Sequence, residues 1–93
     1  MVKKSVINDC VNEIFSDLDS EDKLLICTYL SSELDDSKDN RLFVEIIEDA
    51  KGSKVGIKLG VTDNNVEKFS FKSNVYNPDA LIHSAIMIQN NNV

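Results

Sequence analysis

Residues 54–62, KVGIKLGVT, alternate between apolar positions and lysine, glycine or threonine without a break. This period of two predicts a β-strand with one buried face, and it constrains the fold more than any other segment. The side chains predicted to point inward are Val55, Ile57, Leu59 and Val61. Because the backbone of a strand must find hydrogen-bond partners, at least one further strand is required beside it.

The segment before this strand, residues 41–52, fits either a helix or a strand. Its apolar residues recur at helical spacing, but they also alternate and include several β-branched side chains. Asp49 and Gly52 are the first and last residues of a type I turn signature. Such a turn would join two adjacent strands, so we interpret residues 41–52 as a strand that ends in a turn.

A third strand is predicted over residues 66–73, VEKFSFKS, after a second turn at 62–65. Phe69 and Phe71 would point inward. The opposite sheet face would then carry four lysines, Lys54, Lys58, Lys68 and Lys72. This face could be a weakly basic docking surface, but it lacks outward aromatic side chains for base stacking. We favour an ordinary solvated face whose lysines discourage edge pairing.

Two helices are predicted ahead of the sheet. The first, from about Lys4 to Asp17, has apolar side chains at i, i+3, i+4 and i+7. The second begins at Asp19 or Ser20, either of which can cap it. Its run LLICTYL is apolar on nearly all sides. We therefore expect this helix to be central to the core or to be buried by a partner subunit.

A last helix is predicted to open at Asn77-Pro78-Asp79, with Asn as the cap and Pro at the first helical position. Its main apolar stripe is predicted to be Leu81, Ile82, Ala85, Ile86 and Gln89. Residues 89–93 are expected to fray. The resulting fold class is α+β, a small single domain over residues 1–93 in the order ααβββα. Its three-stranded antiparallel meander would pack against the helices.

Charge and composition exclude several classes of protein. The chain has a net charge of −6, and the acids concentrate in its first half. Direct nucleic-acid binding is disfavoured because phosphate contacts need a positive field. Apolar runs are far shorter than the roughly 18 residues of a membrane span, and polar residues interrupt any leader at the N-terminus. We expect a cytoplasmic protein with no membrane association, and Cys10 and Cys27 as reduced, structural thiols.

No sequence motif for catalysis or for metal binding is complete. A calcium loop starting at Asp17 would need Gly at its sixth position and Glu at its twelfth, where Asp22 and Thr28 stand. The three glycines of KGSKVGIKLG match no phosphate-binding loop. His83 is the only histidine, and neither cysteine has a flanking catalytic signature. The sequence therefore predicts a non-enzymatic protein with no metal and no cofactor.

The acids of the first half are the main functional candidates. Asp9, Glu13 and Asp17 recur at i, i+4 and i+8, a spacing at which like charges repel on a helix. Asp19, Glu21 and Asp22 extend the row, although Glu21 and Asp22 also suit the positive end of a helix dipole. The predicted partner-binding residues are Asp9, Glu13, Asp17, Asp19, Glu21 and Asp22. Asp35, Asp36 and Asp39 could join them in space, and solubility alone is the competing explanation.

These features predict a small acidic interaction protein that binds a basic partner protein. It could act as an inhibitor that imitates nucleic acid, and the composition rich in Asn, Ile and Lys hints at a phage or mobile element. The alternative is a structural or regulatory homodimer, or an immunity protein or antitoxin, without nucleic-acid mimicry. The homodimer is suggested by the second helix and by the Met87–Ile88 side of the last helix, which together offer more apolar surface than a small core needs.

Overall fold

The structure, a computed structural model, describes residues 2–34 and 39–91. Within these ranges the chain forms an α+β fold in the predicted order ααβββα. Its elements are α1 (Lys4–Ile14), α2 (Ser20–Glu33), β1 (Asn40–Glu48), β2 (Lys54–Asp63), β3 (Val66–Ser73) and α3 (Pro78–Asn91). No helix of the described part has the length and apolar content needed to cross a bilayer.

The three strands form an antiparallel meander in the order β1-β2-β3. Leu42 lies opposite Val61, and Val61 lies opposite Phe69, so these three side chains share the sheet face that turns toward the helices. The interpretation of residues 41–52 as a strand ending in a turn is confirmed. The turn is closed by Gly52 N–H, which donates to Asp49 O at 3.0 Å, with Gly52 at φ +80°.

The second predicted turn is confirmed with a sharper geometry. Asn64 and Asn65 have φ of +52° and +67°. Two consecutive residues with positive φ are the mark of a type I′ hairpin turn, whose twist matches that of the strands it joins. Asn tolerates this conformation better than most residues because its side chain can hydrogen-bond locally.

Two irregularities in the strands correct the predicted alternation. The pairing shifts between Ile47 and Glu48, which leaves Val55 without a partner, and Val55 is 42% exposed rather than inward. A second shift beside Val61 makes Lys68 the extra residue of β3. Each extra residue in one strand changes which face the following side chains occupy. Lys68 consequently reaches α2 and pairs with Glu33 at 2.8 Å, instead of joining a lysine-rich outer face.

All three helices pack on one face of the sheet, and α1 is the central one. Ile7, Cys10 and Val11 of α1 are buried against the strands, as the predicted apolar stripe requires. On the sheet, Ile57 and Leu59 are fully buried. Interleaving of these two sets makes the core, which is the ordinary way for a small α+β domain to cover one face of an antiparallel sheet.

α1 ends earlier than predicted. The helix stops at Ile14, and Phe15 leaves the helical conformation with φ −108° and ψ 42°. The Phe15 side chain stays buried in the core. Leu18 N–H then donates to Phe15 O at 3.0 Å, so the chain turns before Asp17 could extend the helix.

α2 is not the central helix. Leu30 is its only fully buried residue among positions 20–33. Leu24, Leu25 and Tyr29 are 66%, 63% and 49% exposed. The first of the two expectations for this helix is therefore wrong, because α1 occupies the centre.

α3 is rotated relative to the prediction. Its buried residues are Ala80, Ser84 and Ile88, whereas Ile82 and Ile86 are exposed. Small side chains at 80 and 84 face α1, since Ser84 lies beside Cys10 at the centre of the packed layer. The predicted stripe is wrong because hydropathy does not mark Ser84 as a buried position, although it is fully buried. α3 continues through Asn91, and residues 92–93 lie outside the described ranges.

Gly60 shows why β2 carries glycine on its open face. A Cβ atom at this position would lie 2.2 Å from Phe69 O and 2.8 Å from the Phe43 ring. Glycine inside a strand often marks a close backbone approach or a bulge. At Gly60 it is a close approach, with the aromatic ring of the neighbouring strand lying over the glycine.

Candidate functional site

One end of the helical layer collects most of the predicted site residues. α1 ends there and α3 begins there, because Glu13 and Ser16 line the same shallow pocket as Asn77, Asp79 and His83. α2 begins at Ser20, after a short connection from the end of α1 at Ile14. We call this end the acidic pole and define it by six residues: Glu13, Asp17, Asp19, Glu21, Asp22 and Asp79. The pocket between α1 and α3 has a volume of about 480 Å³.

Asp19 is the N-cap of α2. Its Oδ1 accepts a hydrogen bond from the Asp22 backbone N–H at 2.9 Å. Glu21 and Asp22 occupy the first turn, where the helix dipole presents partial positive charge. The predicted helix start is confirmed. Capping explains the position of Asp19, and the helix dipole favours the carboxylates of Glu21 and Asp22.

The start of α3 repeats this arrangement. Asn77 Oδ1 accepts from the backbone N–H of Asp79 at 3.1 Å and of Ala80 at 3.4 Å. Asp79 follows in the first turn. The sequence already identified Asp79 as a helix-start residue. Only the packing of α3 against α1 brings it to the pole beside Glu13.

Glu13 is held in place rather than free on the surface. His83 Nδ1–H donates to Glu13 Oε1 at 2.5 Å, which joins α1 to α3 across 70 positions of sequence. The second carboxylate oxygen, Oε2, is buried and has no hydrogen-bond partner within the described residues. No local pattern predicts this pair, because nothing in the neighbouring sequence links a Glu in the last turn of α1 to a His 70 positions away.

The predicted row of three acids on one helix face is wrong. Asp9 is on α1, but Asp17 follows the helix end at Ile14 and lies in the connection to α2. Asp9 is exposed one turn before Glu13, which places it away from the pole. Asp35 and Asp36 lie outside the described residues. Asp39 forms a salt bridge with Arg41 at 3.2 Å and directly precedes β1.

The pole is poor in cations. Residues 5–34 contain seven acids and one base, Lys23. Within residues 2–34 and 39–91, no salt bridge involves Asp9, Asp17, Asp19, Glu21 or Asp22. Most of these carboxylates are exposed. No neighbouring cation therefore cancels the negative field of these carboxylates. The field extends into solvent over a distance set by the screening length.

The opposite, open face of the sheet is balanced in charge. Lys58 lies 2.7 Å from Glu67 and 3.6 Å from Glu45. The hydrogen bond from Lys58 lowers the pKa of Glu67, and the Glu67 carboxylate raises the pKa of Lys58. Lys68 of β3 forms a salt bridge with Glu33 of α2, so the four lysines do not form one basic face.

The cysteines are placed as structural thiols. Cys10 is fully buried in the core, and burial raises the pKa of its thiol to about 11 although the neighbouring Ser84 hydroxyl works in the opposite direction. Cys27 is half-buried on α2, and burial raises its pKa as well. A raised pKa keeps the thiol protonated, so neither residue has the thiolate character of a catalytic nucleophile at neutral pH.

In the part of the chain that the structure describes, no three His, Cys, Asp or Glu side chains converge in an arrangement suited to a metal ion. No protein-family model matches the chain, and neither does any curated protein or solved structure.

Proposed function

We propose that this chain is a non-enzymatic interaction protein that binds a basic protein partner through the acidic pole. The observation that carries the proposal is the convergence of carboxylates from α1, α2, α3 and the α1–α2 connection at one end, without ion-pair partners among residues 2–34 and 39–91 for Asp17, Asp19, Glu21 and Asp22. A concentrated negative field raises the encounter rate with a positively charged surface.

The members of the pole contribute to the proposal unequally. Asp19 caps α2, and Glu13 is bound to His83, so these two carboxylates already have structural partners. Asp17 is exposed and neither caps a helix nor pairs with a cation in the described chain. Asp17, Glu21 and Asp22 are therefore the residues on which binding should depend most. Asp9 would act at longer range.

In its finer form, the proposal makes the protein a cytoplasmic inhibitor that occupies a nucleic-acid groove of its partner, as expected for a phage or mobile-element product. Carboxylates can stand in for phosphates there because both are exposed anions that accept hydrogen bonds from Arg and Lys. An immunity protein or antitoxin that neutralises a basic toxin would use the same surface without imitating nucleic acid.

The test is affinity capture from a host lysate at a series of salt concentrations. The bound protein should be basic, and its retention should fall steeply as salt screens the charges. The decisive variant is Asp17→Asn combined with Glu21→Gln, which leaves the Asp19 cap intact. We expect it to weaken retention by an order of magnitude or more.

The matched control is Glu45→Gln combined with Glu48→Gln on β1. These side chains are also exposed, and the change in net charge is the same. If both double variants lose the partner equally, only the overall charge matters and the pole is not the binding surface. Retention that ignores salt in the unmodified protein would also contradict the proposal.

A further inference from the structure

One side chain beside the acidic pole is of a type that changes its charge near neutral pH. His83 is the only histidine of the chain, and it lines the pocket between α1 and α3 together with Glu13 and Asp79. Histidine ordinarily gains a proton between about pH 8 and pH 5. Both carboxylates are members of the pole, so a proton on His83 adds a positive charge directly beside them.

The geometry leaves one nitrogen of His83 free to take up this proton. Nδ1–H donates to Glu13 Oε1 at 2.5 Å, which holds the ring against α1. The other nitrogen, Nε2, makes no hydrogen bond within residues 2–34 and 39–91, and the side chain is 57% exposed. Protonation of Nε2 from solvent therefore needs no rearrangement. It converts the hydrogen bond to Glu13 into an ion pair.

Among the described residues, no lysine or arginine lines this pocket. Glu13 faces His83 from α1, and Asp79 lies about one turn earlier on α3 itself. The α1–α2 connection contributes Ser16, which has no charge. β1 also packs against α3, but its charged side chains do not line the pocket. These side chains are Arg41, Glu45 and Glu48.

We propose that protonation of His83 weakens the binding of a basic partner by the acidic pole, so that the pole binds near neutral pH and releases its partner in mild acid. This inference rests on the partner-binding role proposed above. An imidazolium beside Glu13 and Asp79 offsets one of the six carboxylates that define the pole. The attraction for a cationic surface falls accordingly.

Other side chains contribute little to a charge change in this pH range. Carboxylates ordinarily take up protons at lower pH. Burial raises the pKa of the Cys10 and Cys27 thiols, so both stay neutral. The expected effect is moderate. A unit charge about 4–8 Å from a bound cation changes its dissociation constant roughly two- to sixfold in water, and added salt reduces the change.

The test measures binding of a fluorescent oligolysine peptide at low ionic strength. Lysine stays charged throughout the range, so only the protein titrates. Between about pH 7.5 and about pH 5.5, the dissociation constant of the unmodified protein should rise roughly two- to sixfold. The ring protons of the only histidine report its protonation directly by NMR. The midpoint of that titration should coincide with the midpoint of the affinity change.

His83→Gln removes the titrating group, and its amide N–H can still donate to Glu13. This variant should bind the peptide with the same affinity at both pH values, and circular dichroism should show an intact fold. The matched control adds Gln89→His to His83→Gln. Gln89 is exposed and lies about 9 Å further along α3, away from the pole. The new histidine titrates there, but it should not restore the pH dependence.

The outcomes separate this inference from the partner-binding proposal. If His83→Gln keeps the full pH dependence, if Gln89→His restores it, or if the two midpoints differ in the unmodified protein, His83 does not regulate the pole. The midpoint comparison does not depend on the folding of any variant. If Asp17→Asn with Glu21→Gln binds the peptide at about pH 7.5 as tightly as the unmodified protein does, the pole is not the binding surface and both proposals fail.

Discussion

Glu13 and His83 are joined by a hydrogen bond of 2.5 Å between Oε1 and Nδ1. The pair connects the last turn of α1 to the second turn of α3 and stands at the edge of the acidic pole. The only histidine of the chain is therefore engaged with a carboxylate, and one of the predicted partner-binding acids has a structural role.

Removal of this histidine should destabilise the protein more than removal of an ordinary surface residue. In the His83→Ala variant the Glu13 carboxylate keeps its buried Oε2 and loses its one partner, so we expect a loss of about 1 kcal/mol in the free energy of unfolding. Urea denaturation measures it. A double-mutant cycle with Glu13→Gln should show coupling between the two sites. Additive effects would mean that the hydrogen bond contributes nothing.

The two thiols should differ in reactivity. Cys10 is fully buried and has its pKa raised to about 11, whereas Cys27 is only half-buried. In the native protein at neutral pH, an aromatic disulfide reagent should modify Cys27 slowly and Cys10 more slowly still. Both should react quickly in denaturant. The Cys27→Ala variant should lose the native reaction, and rapid labelling of Cys10 in that variant would contradict the packing of α1.

Substitution of Gly60 should be severe. In Gly60→Ala the new methyl group would lie 2.2 Å from Phe69 O, and backbone cannot move aside as a flexible side chain can. Overpacking of this kind costs about 1–3 kcal/mol. Thermal unfolding provides the measurement. The control is Gly52→Asn, because Asn tolerates φ +80° and a Cβ there is 3.8 Å from the nearest atom, a Glu48 carboxylate oxygen. Similar losses in both variants would argue against the close approach.

The cap of α2 can be separated from the charge of the pole. Asp19→Ala removes the acceptor for the Asp22 N–H and should cost about 1 kcal/mol of stability. Asp19→Ser removes the same charge but retains an acceptor oxygen, so most of the stability should return. Chemical denaturation of the two variants distinguishes them. If Asp19→Ser is as unstable as Asp19→Ala, the charge rather than the cap supports the helix.

The Lys58–Glu67 pair should make a small contribution to stability that depends on pH. The pKa of Glu67 is lower in the folded protein than in the unfolded chain. Its contribution is therefore complete above the pKa of the unfolded chain and is lost as the pH falls through the folded pKa. Glu67→Gln should flatten the acidic limb of the curve of unfolding free energy against pH. An unchanged acidic limb would show that solvent screens the pair fully.

Local sequence patterns determined the elements of this protein. Alternation in KVGIKLGVT and the Asp49–Gly52 turn were enough to place the hairpin, and Asp19 and Asn77 were enough to place two helix starts. These features depend on neighbouring residues alone, because strand period, turn conformation and capping are satisfied within a few positions. The order ααβββα followed directly.

Only the tertiary structure decided which faces are covered and which acids meet. It placed α1 rather than α2 at the centre, turned Ser84 inward and Ile82 outward, and redirected Lys68 to Glu33 through an irregular pairing. It also broke the row of Asp9, Glu13 and Asp17 and brought Asp79 to the acidic pole instead. The physical reason is that burial and charge proximity depend on contacts between distant segments. When a helix is apolar on all sides, or when an acid lies beside a helix end, the nearby sequence does not show which distant segment will pack against it.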